Sequence, residues 1–218
     1  MYQPKTRICP EGTIYLVITG FLTLLLAIWG FKTLSFLGFL VFVFILNFFR
    51  DPYRFVPQEK DIAVAPADGK VIKIKQASCP LSGEEKTVIS IFMNVFNVHV
   101  NRSPITGKLK QQKYIPGKFF NASLDKSSLH NERNLLLIED EEGKLWTVVQ
   151  IAGLIARRIV CFWSLEESLS RGERFGLIKF GSRVDLYLPA DYEPTVVIGD
   201  KVLAGNTVVA RKKDSLVK

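Results

Sequence analysis

From Gly12 to Phe31 the chain carries no charged residue, and from Thr33 to Phe49 it again carries none, with Lys32 alone between the two apolar runs. About 20 apolar residues cross a bilayer and about 17 lie near the lower limit, so the runs predict two closely linked transmembrane helices turning near Gly30 to Lys32. A cleavable signal has a shorter apolar core and a small-residue cut site, whereas the second run leads straight into Asn47-Phe48-Phe49-Arg50-Asp51-Pro52. Lys5 and Arg7 precede the first run, and Arg50 and Arg54 follow the second. The positive-inside bias therefore predicts both flanks, and the body behind them, on the cytoplasmic side.

After Pro57 the texture changes to short β-branched and apolar runs separated by Gly, Pro, Asp and Asn. Lys70 to Lys75, Thr87 to Phe92, Asn134 to Glu139, Leu145 to Ala152, Ala156 to Phe162, Arg183 to Leu188 and Thr207 to Ala210 are the clearest. Several alternate apolar with polar, as strands with one buried face do. The one helical patch expected in this region is Ser164 to Leu169. Strands at short spacing without alternating helices predict a mainly β, antiparallel sandwich or barrel. Asp68-Gly69 and Gly199-Asp200 each stand at a turn before a Val-rich strand, which gives the body the look of a barrel-sandwich hybrid. Two domains follow: residues 1–50 as a membrane hairpin and residues 51–218 as the β body.

Across 218 residues, 48% hydrophobic content marks an ordered chain with a core. Cys9, Cys79 and Cys161 form an odd set without CxxC spacing or a nearby His cluster, which argues against a disulfide framework and against a metal site. The net charge is +8, three units of it in the first fifty residues. The basic residues are dispersed, with one dense run at Arg211-Lys212-Lys213. A nucleic-acid reader would cluster them among aromatics, so anionic lipid is the simpler partner.

Candidate chemistry is sparse. His99 and His130 are the only histidines, and there is no GxSxG elbow, HExxH, Walker loop or GxGxxG. What stands out is Phe180-Gly181-Ser182-Arg183-Val184-Asp185, preceded by Arg171-Gly172-Glu173-Arg174-Phe175-Gly176. Taken alone, Gly-Ser at a strand entrance is an ordinary turn.

Five segments in order give it another meaning. They are Pro66-Ala67-Asp68-Gly69-Lys70-Val71, Val95 through Gly107, Asn131-Glu132-Arg133-Asn134, Gln150 through Ile159, and Arg171 through Pro189. Together they resemble the phosphatidylserine decarboxylase family, in its short membrane-anchored form, from Arg50 to Ala210. The resemblance implies a proenzyme that cuts itself between Gly181 and Ser182 and turns Ser182 into an amino-terminal pyruvoyl group. Only Ser, Thr or Cys can begin such an acyl shift, and Gly181 leaves its carbonyl open to attack. The implied pyruvoyl cofactor condenses with the substrate amine as a Schiff base and accepts the electrons released with carbon dioxide.

By the same resemblance His99 is the proton donor for decarboxylation, and Asp68 and Ser182 belong to the self-processing set. The long form of the family has a second histidine where this chain has Arg102, which cannot act as a base. Either His99 serves both steps, or cleavage relies on backbone strain and a carboxylate such as Asp68; His130 is a third option. Arg157, Arg158, Arg102 and Arg133 are the candidates for the anionic head group of a phosphatidylserine substrate. Adjacent Arg157 and Arg158 on a strand would face opposite ways. The expected setting is the cell inner membrane with the two cleavage fragments held together, and a homodimer as a further association. The rival reading is a non-catalytic, membrane-tethered carrier or binding module of the barrel-sandwich hybrid type. It lacks the turn-tip Lys context of a lipoyl carrier and the paired His of a phosphotransfer domain.

Overall fold

The computed structural model describes residues 7–123, 130–154, 158–179 and 182–213. The chain divides into two compact units, Met1–Tyr53 and Arg54–Lys218.

In the first unit, a short 3-10 turn at Pro10–Gly12 leads into α1 (Thr13–Ile28), and α2 (Lys32–Phe48) follows after Gly30, whose φ of 78° lies in the left-handed region that favours glycine. The two helices pack through small residues. Gly38 sits against Thr23, Gly20 against Phe42, and the Ser35 hydroxyl donates to the Thr23 carbonyl at 3.3 Å. Pro10–Ile28 is long and apolar enough to cross a membrane, and α2 is a shorter apolar helix. Their large side chains, among them Ile14, Phe21, Phe36 and Phe39, face outward.

The second unit is mainly β, and every strand pair in it is antiparallel. Its strands are β1 (Ile62–Val64), β2 (Gly69–Ser78), β3 (Glu85–Met93), β4 (Val100–Arg102), β5 (Gly107–Ile115), β6 (Arg133–Asp140) and β7 (Leu145–Ala152). They continue as β8 (Ile159–Cys161), β9 (Ser168–Leu169), β10 (Arg174–Ile178), β11 (Ser182–Tyr187), β12 (Tyr192–Pro194), β13 (Lys201–Val202) and β14 (Val208–Lys212). An eight-stranded sheet runs β13-β2-β3-β11-β7-β6-β5-β9, and two three-stranded sheets run β4-β10-β8 and β1-β14-β12. Register shifts in β2 near Val71 and in β5 near Leu109 bend the large sheet, as bulges do. Ile89, Ile91, Leu136, Trp146, Val148, Val184 and Leu186 line its inner face and pack with Phe175, Ile178 and Val209. A smaller cluster of Cys79, Val88, Leu135, Val149, Ile151 and Tyr187 lies on the opposite face.

Two sequence expectations are corrected. Ser164 to Leu169 is not a helix. Glu166 has φ 65°, outside helical space, and the segment is a turn held by the Trp163 indole on the Glu167 carbonyl and by the Glu167 carboxylate on the Ser164 amide. Strand β8 begins at Ile159, three residues after the expected Ala156, which lies outside the described residues.

β11 is buried along its whole length, and on its outer face Arg183 grips Asp185 through two bonds of 2.6 Å each. Breaking such a pair strands a buried charge. Asp185→Leu should therefore lose about 3–5 kcal/mol, with the Arg183→Leu/Asp185→Leu double variant losing less. Thermal unfolding of the detergent-solubilised variants checks both.

Candidate functional site

β10 is hydrogen-bonded between β4 and β8 in the small sheet, and after three residues the chain enters β11 at the centre of the large one. Ser182 is therefore the first residue of a strand gripped on both sides, opposite Met93 on β3 and Ala152 on β7. Period-two alternation turns its side chain, with those of Val184 and Leu186, toward the main core. Ser182 is fully buried, and its hydroxyl donates to the Met93 sulfur at 3.2 Å. Gly181, the other half of the expected scissile bond, lies outside the described residues, as does Arg157.

The segment approaching Ser182 is held from two sides. The Ile178 amide donates to the His99 carbonyl at 3.4 Å and the Lys179 amide to the Arg158 carbonyl at 3.1 Å. His99 is thus a buried residue beside the chain that leads into Ser182. Arg158 is exposed at the same place.

Asp68 stands at the same end of the large sheet, just before β2. Gly69 must be glycine here, because a Cβ would lie 2.1 Å from the Phe92 carbonyl oxygen. That close approach puts Asp68 two strands from Ser182, about 10 Å across the sheet at strand spacing. One Asp68 oxygen pairs with the Arg54 guanidinium at 2.7 Å, and the other accepts the Ala204 amide at 2.8 Å.

Arg102 is buried, donates to the Gly172 carbonyl at 3.0 Å, and would block a side chain at Gly205, so its guanidinium ties turns of the body together. Arg133 opens β6, half-buried, and donates to the Asn131 carbonyl at 3.2 Å. His130 is exposed, edge-on to Phe120. The structure therefore gathers Ser182, His99, Asp68 and Arg158 at one end of the sheet.

Beside Ser182 lies a chain of amides that motif reading did not single out. Gln112 donates to Asn134 at 3.2 Å, Asn134 to Gln150 at 3.0 Å and Gln150 to Asn101 at 2.8 Å, and Asn101 directs its amide nitrogen at the Met93 sulfur, 3.9 Å away. All the donors point one way, which fixes each amide's orientation. The chain ends with a good donor on a poor acceptor, next to the Ser182 hydroxyl. Gly176 leaves space for it: a Cβ there would lie 3.2 Å from the Gln150 amide nitrogen and 2.2 Å from the Val160 carbonyl. On the other side Asn131 donates to the carbonyls of Ala152 and Phe120, each at 2.7 Å, and pins the strand end opposite Ser182. The signal was present in the sequence, since Asn134 and Gln150 share a strand face with Leu136 and Val148, where an amide must find partners.

Cys9, Cys79 and Cys161 carry free thiols. Burial pushes the Cys161 thiol up, away from the thiolate form that reacts. No group of three or more metal-binding side chains occurs among the described residues.

The sequence model of the family described as phosphatidylserine decarboxylase matches residues 41–210. A phosphatidylserine decarboxylase proenzyme of Solidesulfovibrio magneticus is 53% identical over 98% of this chain and 100% of its own length. Proteins of the same description from Nitratidesulfovibrio vulgaris and Polynucleobacter asymbioticus are 51% and 47% identical, each over 97% of this chain and 98% of their own. With that match running through β2 to β14 and across Ser182, the chain belongs to the phosphatidylserine decarboxylase family.

Proposed function

We propose that this chain is a self-cleaving proenzyme that decarboxylates phosphatidylserine to phosphatidylethanolamine through a pyruvoyl group made from Ser182, on a barrel-like β body. The observation that carries the reading is Ser182 itself, buried at the head of a central strand three residues after the chain leaves another sheet. A ketone of similar size fits the same place. Its neighbours are neutral, and the Asn101 amide beside it is a ready donor to a carbonyl oxygen.

In cleavage the Ser182 hydroxyl attacks the Gly181 carbonyl, and the peptide C–N bond gives way to an ester. Removal of the Ser182 α-proton expels residues 1–181 as a carboxylate and leaves dehydroalanine, which takes up water and releases ammonia to become pyruvoyl. The base for this step is His99 in our reading. Asp68 has its two oxygens on Arg54 and Ala204 and serves to orient the turn at 203–206. Asp68→Asn should therefore keep cutting itself at a measurable rate. A chain that stays whole in that variant, while circular dichroism shows the native fold, would return the base to Asp68.

After cleavage the two fragments stay joined, because the smaller one supplies β11 between β3 and β7, β13 beside β2 and β14 beside β1. The pyruvoyl ketone supplies the electron sink for loss of carbon dioxide from the bound amine. His99 holds the proton that takes the place of the carboxylate on the substrate's α-carbon. Arg158, exposed beside the entrance, meets the anionic head group, with Arg133 as second cation and Arg157 as its neighbour in sequence.

The helices Pro10–Ile28 and Lys32–Phe48 cross the inner membrane as a hairpin with the body in the cytoplasm. Protease added to intact cells should then spare the body, and protease added to inside-out vesicles should remove it; the reverse pattern rejects the topology. The activity itself is tested with purified full-length protein and phosphatidylserine in mixed micelles. Release of carbon dioxide with formation of phosphatidylethanolamine, abolished by a carbonyl reagent such as hydroxylamine, is expected. Activity that survives hydroxylamine would reject the pyruvoyl group.

A further inference from the structure

Antiparallel pairing fixes what shares the Ser182 end of the large sheet. β3 stops there at Met93, β7 at Ala152, β13 at Val202 and β5 at Ile115. The segment that leaves each of these strands puts a large apolar side chain into the open. Phe96 is 66% exposed, Leu154 69%, Leu203 43% and Phe119 37%. Single exposed apolar residues need no explanation, but four on separate loops around one buried reactive serine form a rim.

Charge separates the two ends of the same strands. The turns at the far end carry Glu84, Glu141, Glu142, Glu166, Glu167 and Asp191. Three cations at that end are paired with these acids: Lys144 lies 2.7 Å from Glu142, Lys212 3.0 Å from Glu142, and Lys108 2.7 Å from Glu166. Lys144 and Lys212 together hold the Glu142 carboxyl down to about 2. At the Ser182 end Lys118 and Arg158 are exposed and form no ion pair with a carboxylate among the described residues. The described acids in its loops are Asp68, buried against Arg54, and Glu132.

We propose that this rim is a docking surface for an anionic phospholipid bilayer, with Phe96 and Leu154 entering the boundary between head groups and acyl chains and Lys118 and Arg158 lying on lipid phosphates and carboxylates. The inference rests on the phospholipid reading above and adds a route for the substrate. An apolar side chain reaches about 5–10 Å into that boundary. A docked rim therefore lets a head group rise toward the buried Ser182 position while its acyl chains stay among other lipids. Cations close to an anionic membrane surface are attracted to it within about a Debye length, so the basic end turns toward lipid and the acidic end away.

The test uses full-length protein reconstituted in vesicles, carrying Phe96→Cys, Leu154→Cys or Leu165→Cys labelled with an environment-sensitive nitrobenzoxadiazole dye. Labelled parent protein serves as the blank for the native thiols. Leu165, 58% exposed at the acidic end, is the internal control. In vesicles containing phosphatidylglycerol, an anionic lipid without the amine on which the proposed reaction acts, emission from positions 96 and 154 should shift to the blue, rise several-fold and be quenched by nitroxide-bearing lipid, while position 165 reports water. In phosphatidylcholine vesicles the signals at 96 and 154 should fall. Labels at 96 and 154 that stay in water, or that enter both vesicle types equally, overturn the proposal. Turnover of a short-chain, water-soluble phosphatidylserine by the unmodified protein is measured beside it. Failure of that reaction overturns the functional reading, whereas failure of the labels alone overturns only the docking surface.

Discussion

Ser182→Ala should leave one uncut chain of 24.6 kDa with no decarboxylase activity at all. The substitution removes a single oxygen whose hydrogen bond goes to the Met93 sulfur, a weak acceptor, so the fold loses little. β11 keeps its ladder to β3 and β7, which is made by the backbone. Chemistry loses everything, because without the hydroxyl there is no acyl shift, no ester and no ketone. Electrophoresis for cleavage and carbon dioxide release for activity read the two consequences separately. A Ser182→Ala chain that still cuts at this point would place the nucleophile elsewhere.

His99→Ala carries the second large effect and divides the roles of the site. If His99 is the base of cleavage as well as the proton donor, the variant stays whole and inert, and added imidazole restores part of the cutting. If it is the donor alone, the chain cuts normally and decarboxylates about 10²- to 10⁴-fold more slowly, the usual cost of losing a general acid. A fully cut variant with normal turnover would remove His99 from both roles and move attention to His130 or a carboxylate. We expect the first outcome, since both Asp68 oxygens are engaged by Arg54 and Ala204, and the main-chain carbonyl of His99 accepts the Ile178 amide beside the segment that leads into Ser182.

Where one residue pattern met one environment, the sequence was a reliable guide. Leu145 to Ala152 reads as a strand and is β7 to the residue, because a run buried on both faces has no competing pattern. β11 shifts by a single position, which brings Ser182 itself into the strand. β5 went unseen because Lys108, Lys110, Gln111, Gln112 and Lys113 read as a polar loop; the strand keeps mostly exposed positions and is held by β6 and β9. The turn at Ser164 imitates a helix in composition, and Glu166 breaks it by its positive φ.

The site divides the same way. Ser182, His99 and Asp68 were singled out through ordered segments that resemble a family; Ser182 and Asp68 stand at the same end of the large sheet, and His99 lies beside the segment leading into Ser182. Arg54 was read as a flanking charge and proves to be the partner of Asp68. The amides Asn134, Gln150 and Asn101 gave no motif, because their link is made across strands 16 and 49 residues apart in sequence. Arg102 was weighed for the substrate and is found donating to the Gly172 carbonyl.

The most direct measurement is the intact mass of the purified, active, full-length protein under denaturing conditions. The account predicts two species, residues 1–181 and 182–218, of about 20 and about 4 kDa by their share of the chain. The smaller should lack a free amino terminus and have the mass of a chain whose first residue is pyruvoyl in place of serine. A single species at 24.6 kDa in a preparation that decarboxylates phosphatidylserine would contradict it.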